Sequence, residues 1–408
     1  MQVSDTLVLF TSEFPCGNGE PFLQNEFEVL RQKFRRKIIV PSKFGPVSEI
    51  KMDDSIEVID LNQYKSSENR KKLFLSNIIS ILLINLKELI RSHKKGTFLK
   101  NFREFNSYLI QCIEKSNSIQ RMLLDKNIKT AVNYSFWMNE FALALAFLRS
   151  KGKIDRFCFR ANGFDLYENQ TRHSYIPYRT FIYANADKMF GVSQMAADYM
   201  KSFKVNTDKI SCSYFGTKDF GPGQFDPSQQ LTLFTCSDLR RIKRVDRMVD
   251  ILKHIPFPLK WVHHGHKGDS EKVFYEKTSQ LPQHITFELH KRKDNYADVL
   301  QFMHDHHFNL FVLLSETEGL PVSLIEAISM GIPVMGTDVG GVSEVIAGKN
   351  GILIEKEFKD EKVAQAIIEF AKSNMNTSAY REKIRNDWQE RFSMEKNYNR
   401  FYNELISN

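Results

Sequence analysis

No stretch of this 408-residue chain is both long enough and apolar enough to span a bilayer. Leu73–Leu86 carries no charge, but it runs only 14 residues and includes Ser76, Asn77, Ser80 and Asn85. Spanning takes roughly 20 predominantly apolar residues. Cysteine is scarce: Cys16, Cys112, Cys158, Cys212 and Cys236 are scattered, with no CxxC pair. That argues against a disulfide scaffold and a thiolate metal site, and fits reduced thiols in a cytosolic protein. A GxSxG serine elbow is missing, as are a zinc-finger spacing and an RNP sequence. The histidine clusters, His263-His264-Gly265-His266 and His304-Asp305-His306-His307, lack the i, i+4 spacing with a glutamate base of a metalloprotease helix, so no metal is expected. No basic stretch precedes the first apolar run, MQVSDTLVLFT, which reads as a β-strand and not as a signal peptide.

What the chain does have is localised positive charge. Its formal net charge is +8. Between Arg70 and Arg103 stand nine Lys or Arg against one acid, Glu88, so this window alone carries as much net charge as the whole. A patch of that kind predicts one interaction surface. With apolar helix beneath it, the patch is expected to lie on an anionic membrane surface rather than bind nucleic acid. A helical hairpin with a solvated basic face is the plainer alternative.

Short, nearly continuous apolar runs recur with helical stretches between them, as strands buried on both faces should. The first half shows them at Thr6–Thr11, Lys37–Pro41, Ile56–Leu61, Ala131–Ser135, Phe157–Arg160, Lys188–Ser193 and Ile210–Phe215. The second half shows them at Leu231–Cys236, Leu259–His264, Ile285–Leu289, Asn309–Leu314, Pro333–Gly336 and Gly351–Ile354. This alternation predicts an α/β protein with two doubly wound, Rossmann-like domains facing a cleft. Their expected bounds are 1–215, with a basic helical insertion at 66–126, and 231–385. A Gly- and Pro-rich linker is expected at 216–230, and a C-terminal helix at 386–408 that returns to the first domain.

Four segments carry candidate chemistry. In Ser315–Val345, Glu318 and Glu326 stand eight positions apart, separated by a Gly-Leu-Pro turn and a short apolar helix. A strand end, a turn of backbone amides and a helix N-terminus form an anion site. Carboxylates beside it accept hydrogen bonds from hydroxyls. Phosphate with hydroxyls describes a sugar nucleotide. Ser237–Asp246 places four cations, Arg240, Arg241, Lys243 and Arg244, in five positions after a strand, enough to neutralise a diphosphate. The loop Glu13–Pro21 offers Gly17 and Gly19, where backbone can approach a ligand. Arg160–Tyr167 sets Asn162 at a strand end, with Arg160 near enough in sequence to pair with Asp165.

Together these residues resemble a known family. EGLPVSLIEA is similar to the E-x7-E motif of family 4 retaining glycosyltransferases, which have the GT-B fold. The likeness extends, in the expected order, to FPCGNGEPFLQNEFEVL, RANGFDLY, LRRIKRVDRMVDIL and GTDVGGVSEVI. It implies that Glu318 bonds donor-sugar hydroxyls near the reacting carbon and Glu326 the ribose hydroxyls. Gly319, Leu320 and Pro321 would present backbone to the diphosphate, Lys243 would neutralise the leaving group, and Gly17 and Gly19 would face the donor. Two positions depart from the pattern. Asn162 stands where many members have His, and Asp238 where many have Arg, so Arg240 or Arg241 would replace that cation.

The implied activity moves a hexose from a UDP- or GDP-sugar to a glycan or lipid-linked glycan in surface polysaccharide assembly. It would retain anomeric configuration, need no metal or other cofactor, and take place in the cytoplasm at the membrane periphery. Alternatives are a glycan phosphorylase or nucleotide-sugar epimerase on the same fold, and a non-catalytic membrane- or nucleic-acid-binding protein.

Overall fold

A computed structural model describes residues 5–17, 19–47, 50–65, 70–203, 205–291, 296–346 and 350–407. The apolar runs form thirteen parallel strands among these residues: β1 (Thr6–Thr11), β2 (Arg36–Pro41), β3 (Ile56–Val58), β4 (Val132–Ser135), β5 (Arg156–Ala161), β6 (Lys188–Gly191), β7 (Ile210–Cys212), β8 (Thr232–Cys236), β9 (Leu259–His264), β10 (Ile285–His290), β11 (Leu310–Leu313), β12 (Val334–Thr337) and β13 (Gly351–Ile354). One sheet has the order β3-β2-β1-β4-β5-β6-β7 and the other β10-β9-β8-β11-β12-β13. Helices on both faces bury the strands, which is why the runs are apolar throughout and not alternating. The first core gathers Val8, Phe10, Ile38, Leu143 and Phe159; the second gathers Leu233, Trp261, Leu310 and Met335.

The chain divides into two compact units, Met1–Ser213 with Asn399–Asn408, and Tyr214–Tyr398. Strand order reverses at β1/β4 in the first and at β8/β11 in the second. At such switch points adjacent loops part to opposite faces and leave a crevice at the strands' C-terminal ends. The loops after β1, β8 and β11 are the ones that carry the sequence candidates.

Some expected bounds differ. The run expected to extend to Leu61 leaves strand geometry after Val58, because the Asp60 side chain accepts a bond from the Asn62 amide and starts a 3-10 turn at Leu61–Tyr64. Residues 216–230 are not a free connection: the amides of Thr217, Gly223 and Gln224 bond the carbonyls of Phe392, Met330 and His304, which places the segment on the second unit. The tail forms two helices, Ser378–Arg391 and Met394–Ile406. Its last residues pack in the first unit, where Phe401 lies against Tyr134 and Phe190 and the Leu405 carbonyl accepts a bond from Arg156. The insertion forms helices Arg70–Arg91, Lys95–Lys100 and Phe102–Asp125, with residues 66–69 outside the described set. Among the described residues no helix is long and apolar enough to cross a membrane.

Candidate functional site

In the second unit, the loop that leaves β8 is locked to its neighbours by the protein's own backbone bonds. The Ser237 amide bonds His264 O at 3.1 Å and the Leu239 amide bonds Lys267 O at 2.8 Å. Gly265 lies at φ +141°, and a Cβ there would stand 1.9 Å from the Ser237 carbonyl oxygen. Only glycine permits that approach. The four cations of the loop have different fates. Arg240 and Arg241 are exposed. Arg244 turns inward, and its guanidinium bonds the carbonyls of Leu314 at 2.6 Å, Ser315 at 3.1 Å and Lys356 at 3.1 Å. It therefore clamps this loop to the end of β11, with its guanidinium directed to backbone carbonyls. The clamp positions Lys243, whose Nζ meets Glu318 Oε1 at 2.6 Å. Candidate residues of two different loops are thus in direct contact. Asp238 is half-buried beside them in the chain.

Glu318 opens the turn after β11. Its backbone is held from below: the Gly341 amide bonds Gly319 O at 2.7 Å. Gly340 has φ +53°, and a Cβ there would fall 1.8 Å from the Glu318 carbonyl oxygen. Gly340→Ala should therefore displace the Glu318 turn and cost more than about 1 kcal/mol, the strain of a left-handed alanine plus the clash. Chemical denaturation of the purified variant measures this, and an unchanged midpoint would mean that the turn is not braced by Gly340.

Past Gly319, Leu320 and Pro321 are buried and lead into helix Val322–Ser329, which has no side-chain cap at its N-terminus. Its second turn carries Glu326, only 6% exposed. Glu326 Oε1 is buried with no hydrogen-bond partner. Burial pushes this carboxyl well above its ordinary value of 4.5. Leaving an acceptor of this kind unpaired costs free energy. The same segment thus offers a paired carboxylate, a run of backbone at a helix start, and an unpaired buried carboxyl one helical turn further on.

In the loop after β1, the Glu20 side chain accepts bonds from the amides of Ser12, Glu13 and Phe14 at 3.0, 2.7 and 2.8 Å, and also from Trp137 Nε1. The amides of Ser12, Glu13 and Phe14 at the start of this loop are thus occupied by the chain's own carboxylate. Gly17 and Gly19 lie against the Glu13 side chain. Asn162 follows β5; its Nδ2 reaches Phe136 O at 3.4 Å, and its Oδ1 is buried without a partner. Asp165 does not pair with Arg160. It accepts the amides of Met138, Asn162 and Gly163 at 2.9, 3.0 and 2.9 Å, while Arg160 is buried against Glu26 at 2.8 Å. A separate cavity of about 430 Å3 lies beside the ends of β2 and β3, lined by Ser42, Leu61, Lys115, Asn117, Arg121 and Phe141 among others.

His263 is a core residue. It bonds Thr235 Oγ1 at 2.8 Å, and burial pushes its pKa down to about 3, so it is neutral. Among the described residues, no group of three or more His, Cys, Asp or Glu could hold a metal ion. Three working residues escaped the sequence reading: Glu20, Arg244 and Gly265. Arg244 was counted as one cation among four; Gly265, inside a histidine cluster at a strand end, was the one legible signal.

Structures similar to the whole chain include HepE of Anabaena in complex with UDP, at 12% identity and a TM-score of 0.66 over 98% of this chain and 99% of that one. TarM is similar at 13% identity and a TM-score of 0.68 over 100% and 99%. The fold is GT-B. Residues 221–391 match the family model of glycosyl transferases group 1, a span inside the second GT-B unit that contains Lys243, Glu318 and Glu326. A 64-residue segment is 44% identical to the O-antigen biosynthesis glycosyltransferase WbnH of Escherichia coli, covering 16% of this chain and 19% of WbnH. A match of 24% identity over 246 residues, 56% of this chain and 59% of the other, joins it to the putative colanic acid biosynthesis glycosyltransferase WcaL of Salmonella typhimurium.

Proposed function

We propose that this GT-B protein is a retaining glycosyltransferase, moving a hexose from a UDP- or GDP-sugar to a glycan or lipid-linked glycan in surface polysaccharide assembly. The observation that carries the proposal is Glu326. A carboxyl buried without a partner, in the same strand–turn–helix segment as the Lys243–Glu318 pair, suits a ligand that brings hydroxyls together with phosphate. HepE, of the same fold, has been crystallised with UDP and with UDP and glucose. The match to group 1 glycosyl transferases spans the segment.

In this reading Glu326 accepts the ribose hydroxyls. Gly319, Leu320 and Pro321 present backbone to the diphosphate. Lys243 supplies positive charge where the β-phosphate gains negative charge as it leaves, a role that needs no metal. Arg240 and Arg241, exposed on the same loop, are available to the phosphates. Glu318 orients the donor sugar. Its contact with Lys243 also weighs against nucleophilic attack, since a carboxylate held in an ion pair is a poorer nucleophile. Retention then follows from attack on the same face as departure, with the leaving phosphate oxygen taking the acceptor's proton. In the first unit, Asn162 offers a hydrogen-bonding amide and no titrating proton.

Thermal shift against UDP, GDP, CMP and ADP tests the donor assignment. UDP or GDP should raise the melting temperature at millimolar concentration, and CMP should not. If no nucleotide raises it, there is no donor site here.

A further inference from the structure

Helix Arg70–Arg91 carries a second apolar face, directed away from the core. Leu75, Ile79, Leu82, Leu83, Leu86 and Ile90 are between 50% and 71% exposed. At 3.6 residues per turn these six positions fall in one arc of about 100°, over roughly 22 Å of axis. The opposite face is the one packed on the protein, and it is partly polar. Asn85 is buried and bonds Asn106 and Tyr178. Glu88, the sole acid of the basic window, is 2% exposed and accepts bonds from Tyr175, Tyr178 and Thr180. A helix in water ordinarily directs its apolar stripe to the core; this one seats Ile81 and Ile84 in the core beside Asn85 and Glu88, and presents a second arc of leucine and isoleucine to the outside. Exposed apolar patches of this extent mark interaction sites.

The rim identifies the partner. Lys87 and Arg91 are exposed along one edge of the stripe, and Lys95, Lys100 and Arg103 are exposed on the two helices that follow. Leu99 and Phe102, on the same two helices, are also exposed apolar residues, at 58% and 39%. A second copy of the chain is a poor occupant, because a two-fold contact would bring identical cationic rims together. An apolar stripe edged by cations complements the boundary between acyl chains and anionic headgroups.

We propose that helix Arg70–Arg91 docks this protein on an anionic bilayer, its Leu/Ile face immersed at the acyl boundary and the flanking cations at the headgroups. This goes beyond the electrostatic contact suggested by charge alone, because immersion adds an apolar component that salt does not screen. It stands independently of the donor site.

Co-sedimentation of the full chain with vesicles of phosphatidylcholine alone, and of phosphatidylcholine with 30% phosphatidylglycerol, provides the test. Wild type should bind the anionic vesicles, more weakly but measurably at 0.5 M salt. Leu82→Gln/Leu86→Gln should reduce binding by about tenfold or more, with the circular dichroism spectrum unchanged, since both residues are exposed and Gln is a good helix former. Equal binding by the double variant, or binding abolished by 0.5 M salt, overturns the immersion. A concentration-dependent dimer that the same substitutions dissolve, without vesicle binding, assigns the face to self-association and also overturns it.

Discussion

Lys243→Ala should slow transfer from the nucleotide sugar by about 10²–10³-fold, the effect of removing one preorganised group that stabilises charge in a transition state. Lys243 sits on a loop immobilised by the buried Arg244 guanidinium and by backbone bonds to the strands on either side. Its ammonium is therefore in place before the reaction, and little reorganisation accompanies bond cleavage. The folded state should lose only about 1 kcal/mol, because the pair it forms with Glu318 retains some solvent, with side-chain exposures of 23% and 11%. Glu318→Ala should slow turnover as well, with affinity for the bare nucleoside diphosphate nearly intact. Because the two side chains touch, they should act as a unit. The double variant should then be about as slow as the slower single one. Single-turnover rates for the four proteins measure this, and multiplicative losses would mean that the contact has no part in catalysis.

Glu326→Gln should act in opposite directions on stability and on binding. Burial raises the Glu326 carboxyl above its ordinary 4.5. A group with a raised folded pKa stabilises the fold while protonated, and that contribution is lost as pH climbs from the ordinary value through the folded one. Gln keeps the shape and cannot ionise. The unliganded variant should therefore melt higher than wild type, and the gap should widen as pH rises above 4.5. Each kcal/mol gained corresponds to about 2–4 °C for domains of this size. Ribose hydroxyls, however, favour the ionised form by donating to it, so in the complex the variant lacks a charged acceptor. Hydrogen bonds to charged groups contribute about 1.5–3 kcal/mol, so affinity for the nucleotide should fall roughly 10- to 100-fold. Calorimetric titration measures that loss. A stability gain coupled to a functional loss is the behaviour expected of a site that holds an unfavourable group for its ligand.

Much of the architecture was legible in the sequence because both sheets are parallel and covered on both faces, which makes each strand a short apolar run. β1, β9 and β13 end where the runs end. β3 ends early because a polar side chain, that of Asp60, captured an amide. The EGLPVSLIEA segment was legible for a similar reason: turn, helix and carboxylates lie within ten residues. What escaped notice depends on partners distant in sequence. Arg244 looked like its three neighbours until its carbonyl partners near residues 314 and 356 were in place. Glu20 carries no local signal of its role, yet it fills the anion position of its own loop. In helix Arg70–Arg91 the periodicity was visible in principle, but which face packs on the protein is set by Tyr175, Tyr178 and Thr180, about ninety residues away.

The most direct single measurement is the melting temperature of wild type and Glu326→Gln, each with and without millimolar UDP and GDP at pH 7.5. With Glu326 as the ribose acceptor, the unliganded variant melts above wild type, and the nucleotide-induced rise seen in wild type is lost or much reduced. A nucleotide-induced rise of equal size in both proteins would contradict the assignment of this buried carboxylate to the donor.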